Sequence, residues 1–400
     1  MKRSNLAILV LVLVALSACQ PAAVTPTETT QAATSIPEAT DTPAPTETPT
    51  PTETPVLPTE TPTATPIPPP VGPADFPSGV NPLTGLTVSN PELLERRPVA
   101  VKIQMFPRAG RPPWGISQAD IVFDFIQNGG LTRFNAIFYG KDAEQVGPIR
   151  SARLFDRNIL EGYKTILTFG GAFSAVMDHL YASPQWEYLV MEGSQNCPPM
   201  CRIEPEGNNY LVADTPGLHE YIQSKDLVDE RQNLDGMTFD ARVPEGGEPG
   251  TELSIRYSIS AYTRWDYDPA SGSYMRFQDT QEDEGAGEVL EPLTDRLNGQ
   301  QVAADNVVVL FLGHNIDPPY SPNVMMIGMF GEGDAIAFRD GQAYRLRWMR
   351  PTSDSVVYLE YPDGTAFPYK PGVTWYQVVG TSSEVIQGDE GAWRILAYIP

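Results

Sequence analysis

The sequence predicts an α/β layered domain with a mixed sheet, followed by a mainly-β domain, both carried on a disordered Pro/Thr-rich N-terminal stalk. Three observations carry this reading. Between residues 74 and 245, β-branched apolar runs alternate with segments of helical spacing. From 250 to 400, short strand-like runs follow one another through Gly, Asp and Asn turns, and helical periodicity is scarce. Residues 19–73 are almost wholly Pro, Thr, Ala, Glu and Val, with TPTETP repeated, so they hold too little apolar surface to repay ordering.

The first 18 residues read as a lipoprotein signal peptide. Lys2 and Arg3 form a basic start, and Leu6 to Leu16 is an apolar run shorter than the roughly 20 residues of a membrane-spanning helix. Leu16-Ser17-Ala18-Cys19 then resembles the bacterial lipobox, which makes Cys19 the expected site of lipidation. Stable anchoring takes about two acyl chains, so the expectation is an extracytoplasmic protein held on a bacterial membrane, with the stalk spacing its folded part from the surface. The chain has 400 residues and a formal net charge of -23, and loss of Lys2 and Arg3 makes the balance more negative. That charge argues against nucleic acid or anionic lipid as a broad-surface partner.

Within 74–245, RPVAVKIQM (97–105) reads as a buried strand, and ISQADIVFDFIQNGG (116–130) as a short amphipathic segment ending in a glycine break. LTRFNAIFYG (131–140) is another strand. Residues 151–163 have helical spacing through Leu154, Phe155, Ile159 and Leu160; TILTFGG (165–171) is a strand ending in glycines, and AFSAVMDHLY (172–181) a helix. In such sheets ligands sit in the loops after strand C-termini. VPEGGEPG (243–250) is a break, after which the strands around SIRYSISAYTRWDYD, NVVVLFLGHN and TWYQVVG suit a sandwich or barrel.

Cys197 and Cys201, in NCPPMC, read as a disulfide loop outside the cytoplasm, since no His or third Cys lies near to complete a metal site. The candidate ligand site is VGPIRSARLFD (146–156). Gly147-Pro148 stops one element, and Arg150 and Ser151 then fall at the start of the expected helix, where an anion is favoured. Arg133 and Arg153 converge on it in this reading, with Asp120, Gly130, Gly170 and Gly171 as the cleft rim. Guanidinium groups take carboxylate or phosphate in bidentate fashion, which points to an anionic envelope glycan or peptide. The competing reading pairs these arginines with Asp120, Asp124 and Asp156 as an internal brace.

Catalytic signals are thin. His179, His219 and His314 are far apart and lack metal-ligand spacing; Ser151 and Ser174 sit in no GxSxG elbow; no nucleotide loop pattern is present. No catalytic residue, metal or cofactor is therefore assigned. The reading is non-catalytic binding or scaffolding in the cell envelope, with an envelope protein as a further candidate partner. A cell-wall polymer hydrolase or transferase, using a carboxylate beside the arginines, is the alternative.

NPLTGL (81–86), RPVAVKI, GISQADIVFDFIQNGGLTRFNAIF (115–138), VGPIRSAR and FGG (169–171) resemble the N-terminal domain of the YerB-like bacterial lipoproteins, domain-of-unknown-function family 3048. NVVVL (306–310) and the stretch from Asp340 through TWYQVV are similar to that family's C-terminal domain. Where the family has a Pro-His-Asn-Leu-Tyr type segment, this chain has NNYLVAD (208–214), so no histidine is carried over there. The resemblance implies a two-domain lipoprotein of unknown function.

Overall fold

The computed structural model describes residues 67–316 and 324–398. The signal peptide, Cys19 and nearly all of the expected stalk lie outside the described residues. The first region contributes β1 (Val99–Gln104), β2 (Ile121–Ile126), β3 (Thr132–Phe138), α1 (Asp156–Gly162), β4 (Ile166–Phe169), α2 (Ser174–Tyr181), β5 (Leu189–Met191), β6 (Met200–Ile203), β7 (Tyr210–Ala213) and α3 (Thr215–Ser224). All three α-helices of the described residues fall here, and beyond Ser224 the regular elements are strands apart from one 3-10 turn at Asp389–Gly391.

β2 and β3 form an antiparallel pair, β3 runs antiparallel to β1, and β1, β4 and β5 are mutually parallel, so the sheet is mixed. Every residue of β1 and β2 is buried. That explains why they lack polar alternation, because a strand covered on both faces has no solvent side to mark with polar residues; the polar side chains they do carry, Lys102, Gln104 and Asp124, are themselves buried. Phe155, Ile159, Leu160, Val176 and Leu180 of the α1 and α2 segments cover one face. Leu218 and Ile222 of α3 cover the other, together with a second sheet.

In the later part of the chain β8 (Glu252–Arg256), β9 (Tyr262–Asp268) and β10 (Ser273–Asp279) form a meander. Its first strand β8 pairs in parallel with Ala392–Leu396. Trp265 and Trp393 project from this sheet into the core. The long strand Asn306–Ile316 and the strand Thr374–Gly380 do something the sequence did not announce. Thr374–Gly380 lies parallel between Asn306–Ile316 and β2, in register Ile121↔Thr374 through Phe125↔Val378. One twelve-stranded sheet thus takes strands from both regions. Within the expected break at 243–250, Glu248–Pro249 also pairs into that sheet.

Helix α1 corrects an expectation. It starts at Asp156, not at Ser151. Residues 148–152 are instead pinned as extended chain: Gln104 N–H donates to Pro148 O, Ile149 N–H to Leu211 O, Arg150 N–H to Lys102 O, and Ala152 N–H to Gly171 O, at 2.7 to 3.0 Å. These backbone groups are spent on strand-like partners, so the helical ladder has none to use before Asp156. Ala152, Leu154 and Phe155 are buried as the apolar spacing requires, but through this docking.

Candidate functional site: a cationic cluster at the strand ends

β1, β2, β4 and Thr374–Gly380 all run the same way, so their C-terminal ends share one edge of the sheet, and the segment 148–153 crosses it. Arg133 sits near the start of β3 and pairs across to Phe125 and Gln104. Its Nη1 donates to Ser151 O at 2.8 Å. Arg153 Nη1 donates to Ala152 O at 2.9 Å. Arg150 is exposed, and its guanidinium has no hydrogen-bond or ion-pair partner among the described residues.

Behind the arginines lies Lys102, a lysine inside a fully buried strand. Its Nζ is 3.1 Å from Asp156 Oδ1, with neither side chain exposed, and it sits 3.5 Å above the Phe125 ring. Asp156 also accepts from Asn135 Nδ2 at 2.9 Å and from the Arg153 backbone N–H at 2.6 Å. Lys102, Arg133 and Arg153 therefore gather around one carboxylate, which is committed to three donors, none of them a guanidinium, and Arg150 is near enough to Arg133 to repel it.

The charges repel one another accordingly. Burial first, and then Arg153 and Arg150, push Arg133 down to about 9 against the attraction of Asp156. Burial pulls Lys102 down to about 7, with Asp156 opposing and Arg133 and Arg153 adding to the fall. Burial also lowers Arg153. The Nε groups of Arg133 and Arg153 are buried with no partner among the described residues. An unpaired buried donor is costly, on the order of 1–3 kcal/mol and more when charged.

The glycine loop lies beside them. Gly170 N–H donates to Arg150 O at 3.0 Å, and Gly171 has φ +109 with open space where a Cβ would stand. Gly130, at φ +74, accepts from Ser258 Oγ at 2.7 Å and ends the loop between β2 and β3. Asn128, Ser151 and Arg153 form the polar side of a cleft of about 380 Å³, and Leu154, Phe173, Val176, Val324 and Met325 form its apolar side.

Arg133, Arg150, Ser151, Arg153, Gly130, Gly170 and Gly171 are thus gathered at one edge. Asp120 is not with them. It precedes β2 at the far end, about 16 Å along the strand from the position paired with Arg133 at ~3.3 Å per residue, and its Oδ2 accepts from the Tyr139 and Gly140 N–H groups at 2.7 and 2.8 Å. Burial raises its carboxyl to about 6. Asp124 is occupied elsewhere too, 2.7 Å from Arg276 Nη2 across the two sheets. The brace reading is therefore met only in part: Asp156 is held in the cluster, by Lys102 rather than by an arginine side chain.

Lys102, Asn128, Asn135 and Phe173 escaped the sequence reading. Lys102 had a usable signal, because a cation inside a fully buried strand requires a partner. Cys197 and Cys201 are joined at an S–S distance of 2.07 Å. His219 Nδ1 lies 2.8 Å from Asp229 Oδ2, and His314 Nδ1 2.9 Å from Leu312 O, so these contacts are to residues outside the cluster. Among the described residues no three His, Cys, Asp or Glu side chains gather as a metal site, and no helix is long and apolar enough to cross a membrane.

Residues 83–227 match the model described as "Protein of unknown function (DUF3048) N-terminal domain", and residues 253–376 match its C-terminal domain. The chain belongs to the family defined by these two domains. It is 27% identical over 311 residues to the Bacillus subtilis (strain 168) protein named "Putative lipoprotein YerB", across 74% of this chain and 85% of that one. The crystal structure of YerB from Bacillus subtilis has the same fold, with a TM-score of 0.60 at 24% identity, covering 75% of this chain and 96% of the other.

Proposed function

We propose that this chain is an extracytoplasmic lipoprotein, anchored through Cys19, that binds an anionic envelope ligand at Arg133, Arg150 and Arg153 without turning it over. The carrying observation is the imbalance at the strand ends, where Lys102 takes the one carboxylate and Arg133, Arg150 and Arg153 have no carboxylate hydrogen-bonded to their guanidinium groups among the described residues, inside a chain of net charge -23. A structural brace distributes charges in pairs; a group of like charges with buried, unpaired N–H donors has a deficit that an incoming anion removes. The relative's name supports the anchor, as does the lipobox-like Leu16-Ser17-Ala18-Cys19.

A hydrolytic role for these arginines needs a free carboxylate beside them, and nothing favours one. Asp156 is committed to Lys102, Asn135 and the Arg153 amide, while Asp120 and Asp124 are bound elsewhere.

The test is salt-sensitive binding of the full chain to a panel of anionic envelope glycans and peptides, native against Arg150→Ala. Binding lost in the variant at an unchanged melting temperature supports the reading. Equal binding by both proteins, or a melting temperature lowered by the variant, defeats it. Anchoring is read separately, from release of Cys19→Ala into the soluble fraction.

A further inference from the structure

The cleft beside the cluster has two characters. On one side are Ser151, Arg153 and Asn128, and both the Arg153 Nε and the Asn128 Oδ1 are buried with no partner among the described residues. On the other, five apolar side chains make a wall, with Phe173 52% exposed in front of α2 although it is a large aromatic ring. A second cavity of about 340 Å³ lies past the Asn128–Gly130 loop, lined by Gly129, Gly130, Tyr257 and Tyr398 among others, and Met325 lines both.

A small hydrophilic anion satisfies the donors and leaves the apolar wall wet. A purely apolar ligand does the reverse, and leaves buried polar groups unpaired. An amphiphile meets both requirements. About 380 Å³ holds a body of roughly a dozen water-sized atoms at ~30 Å³ each, and the neighbouring cavity gives a longer chain somewhere to continue.

We infer that the ligand of this site is an amphiphilic anion, with a phosphate monoester or carboxylate head against Arg133, Arg150 and Arg153 and an alkyl body in the cleft walled by Leu154, Phe173, Val176, Val324 and Met325. This rests on the anion-binding reading above and adds the ligand's chemical class. Phe173 is the specificity residue for the body, and Arg150 serves the head.

The experiment is calorimetric titration of the chain from residue 19 onward, carrying Cys19→Ser so that no acyl chain or detergent competes. The probes are octyl phosphate, inorganic phosphate and octanol, against native protein, Phe173→Ser and Arg150→Ala. Octyl phosphate is expected to bind roughly a hundredfold more tightly than phosphate, which corresponds to burying about half of its methylenes. Phe173→Ser should remove most of that advantage and leave phosphate binding intact; serine suits its position before α2, so folding is preserved. Arg150→Ala should weaken both anions.

Octyl phosphate binding no better than phosphate overturns the amphiphile inference while the anion site stands. If neither anion binds, both fall. Octanol binding as tightly as octyl phosphate overturns the anionic head. Sedimentation with phosphatidylcholine vesicles containing phosphatidic acid separates a bilayer lipid from a free amphiphile as the source, and either source upholds the inference.

Discussion

Lys102 Nζ and Asp156 Oδ1 lie 3.1 Å apart with no solvent on either side chain. The ammonium is nonetheless pulled down to about 7, because burial and the guanidinium groups of Arg133 and Arg153 together outweigh one carboxylate. Between pH 7 and 10.5 the unfolded chain holds a proton that the folded chain has released, so stability should rise with pH across that window. Denaturation midpoints at pH 6.5, 8 and 9.5 should climb in the native chain, and Lys102→Met should lack this part of the slope.

Asp120 titrates in the opposite sense. Its folded carboxyl is raised by burial to about 6 from an ordinary 3.8. Its contribution is present below about pH 4 and lost as pH rises through 6. The same midpoints measured between pH 4 and 7 should therefore fall less steeply in Asp120→Asn.

Arg133→Met separates a binding site from a brace. The side chain is repelled by Arg150 and Arg153 and carries an unpaired buried Nε, so replacing it with an apolar chain of similar length should leave the melting temperature unchanged or raise it. A brace role predicts a loss on the order of 1–3 kcal/mol instead.

Asp124 and Arg276 provide the contrasting case. Their 2.7 Å pair is buried among Phe134, Trp265 and Trp375 and ties the first region's sheet to the second. Arg276→Met leaves a buried carboxylate uncompensated and should cost about 3–5 kcal/mol by chemical denaturation. Restoring neutrality with Asp124→Asn in the same chain should recover part of that.

Legibility in the sequence followed the range of the interaction. β1, β3, β4 and α2 were readable because their signals are local, in apolar runs and helical spacing. The start of α1 was misread because Leu154 and Phe155 look the same to a periodicity count whether a helix or a docked extended segment buries them. The pairing of Ile121–Phe125 with Thr374–Val378 was not readable at all, since parallel partners some 250 residues apart leave no mark in either segment. At the candidate site the arginines and glycines stood out by type. Which aspartate accompanied them did not, because Asp120, Asp124 and Asp156 differ only in where the strands carry them.

Arg133, Arg150 and Arg153 are proposed above as a binding site rather than a fixture of the fold. The most direct measurement is the ³¹P line width of inorganic phosphate titrated with the native chain and with Arg150→Ala at two salt concentrations. A binding site gives saturable broadening that weakens with salt and is lost in the variant at an unchanged melting temperature. Broadening absent from the native chain, or identical in both proteins, would contradict it.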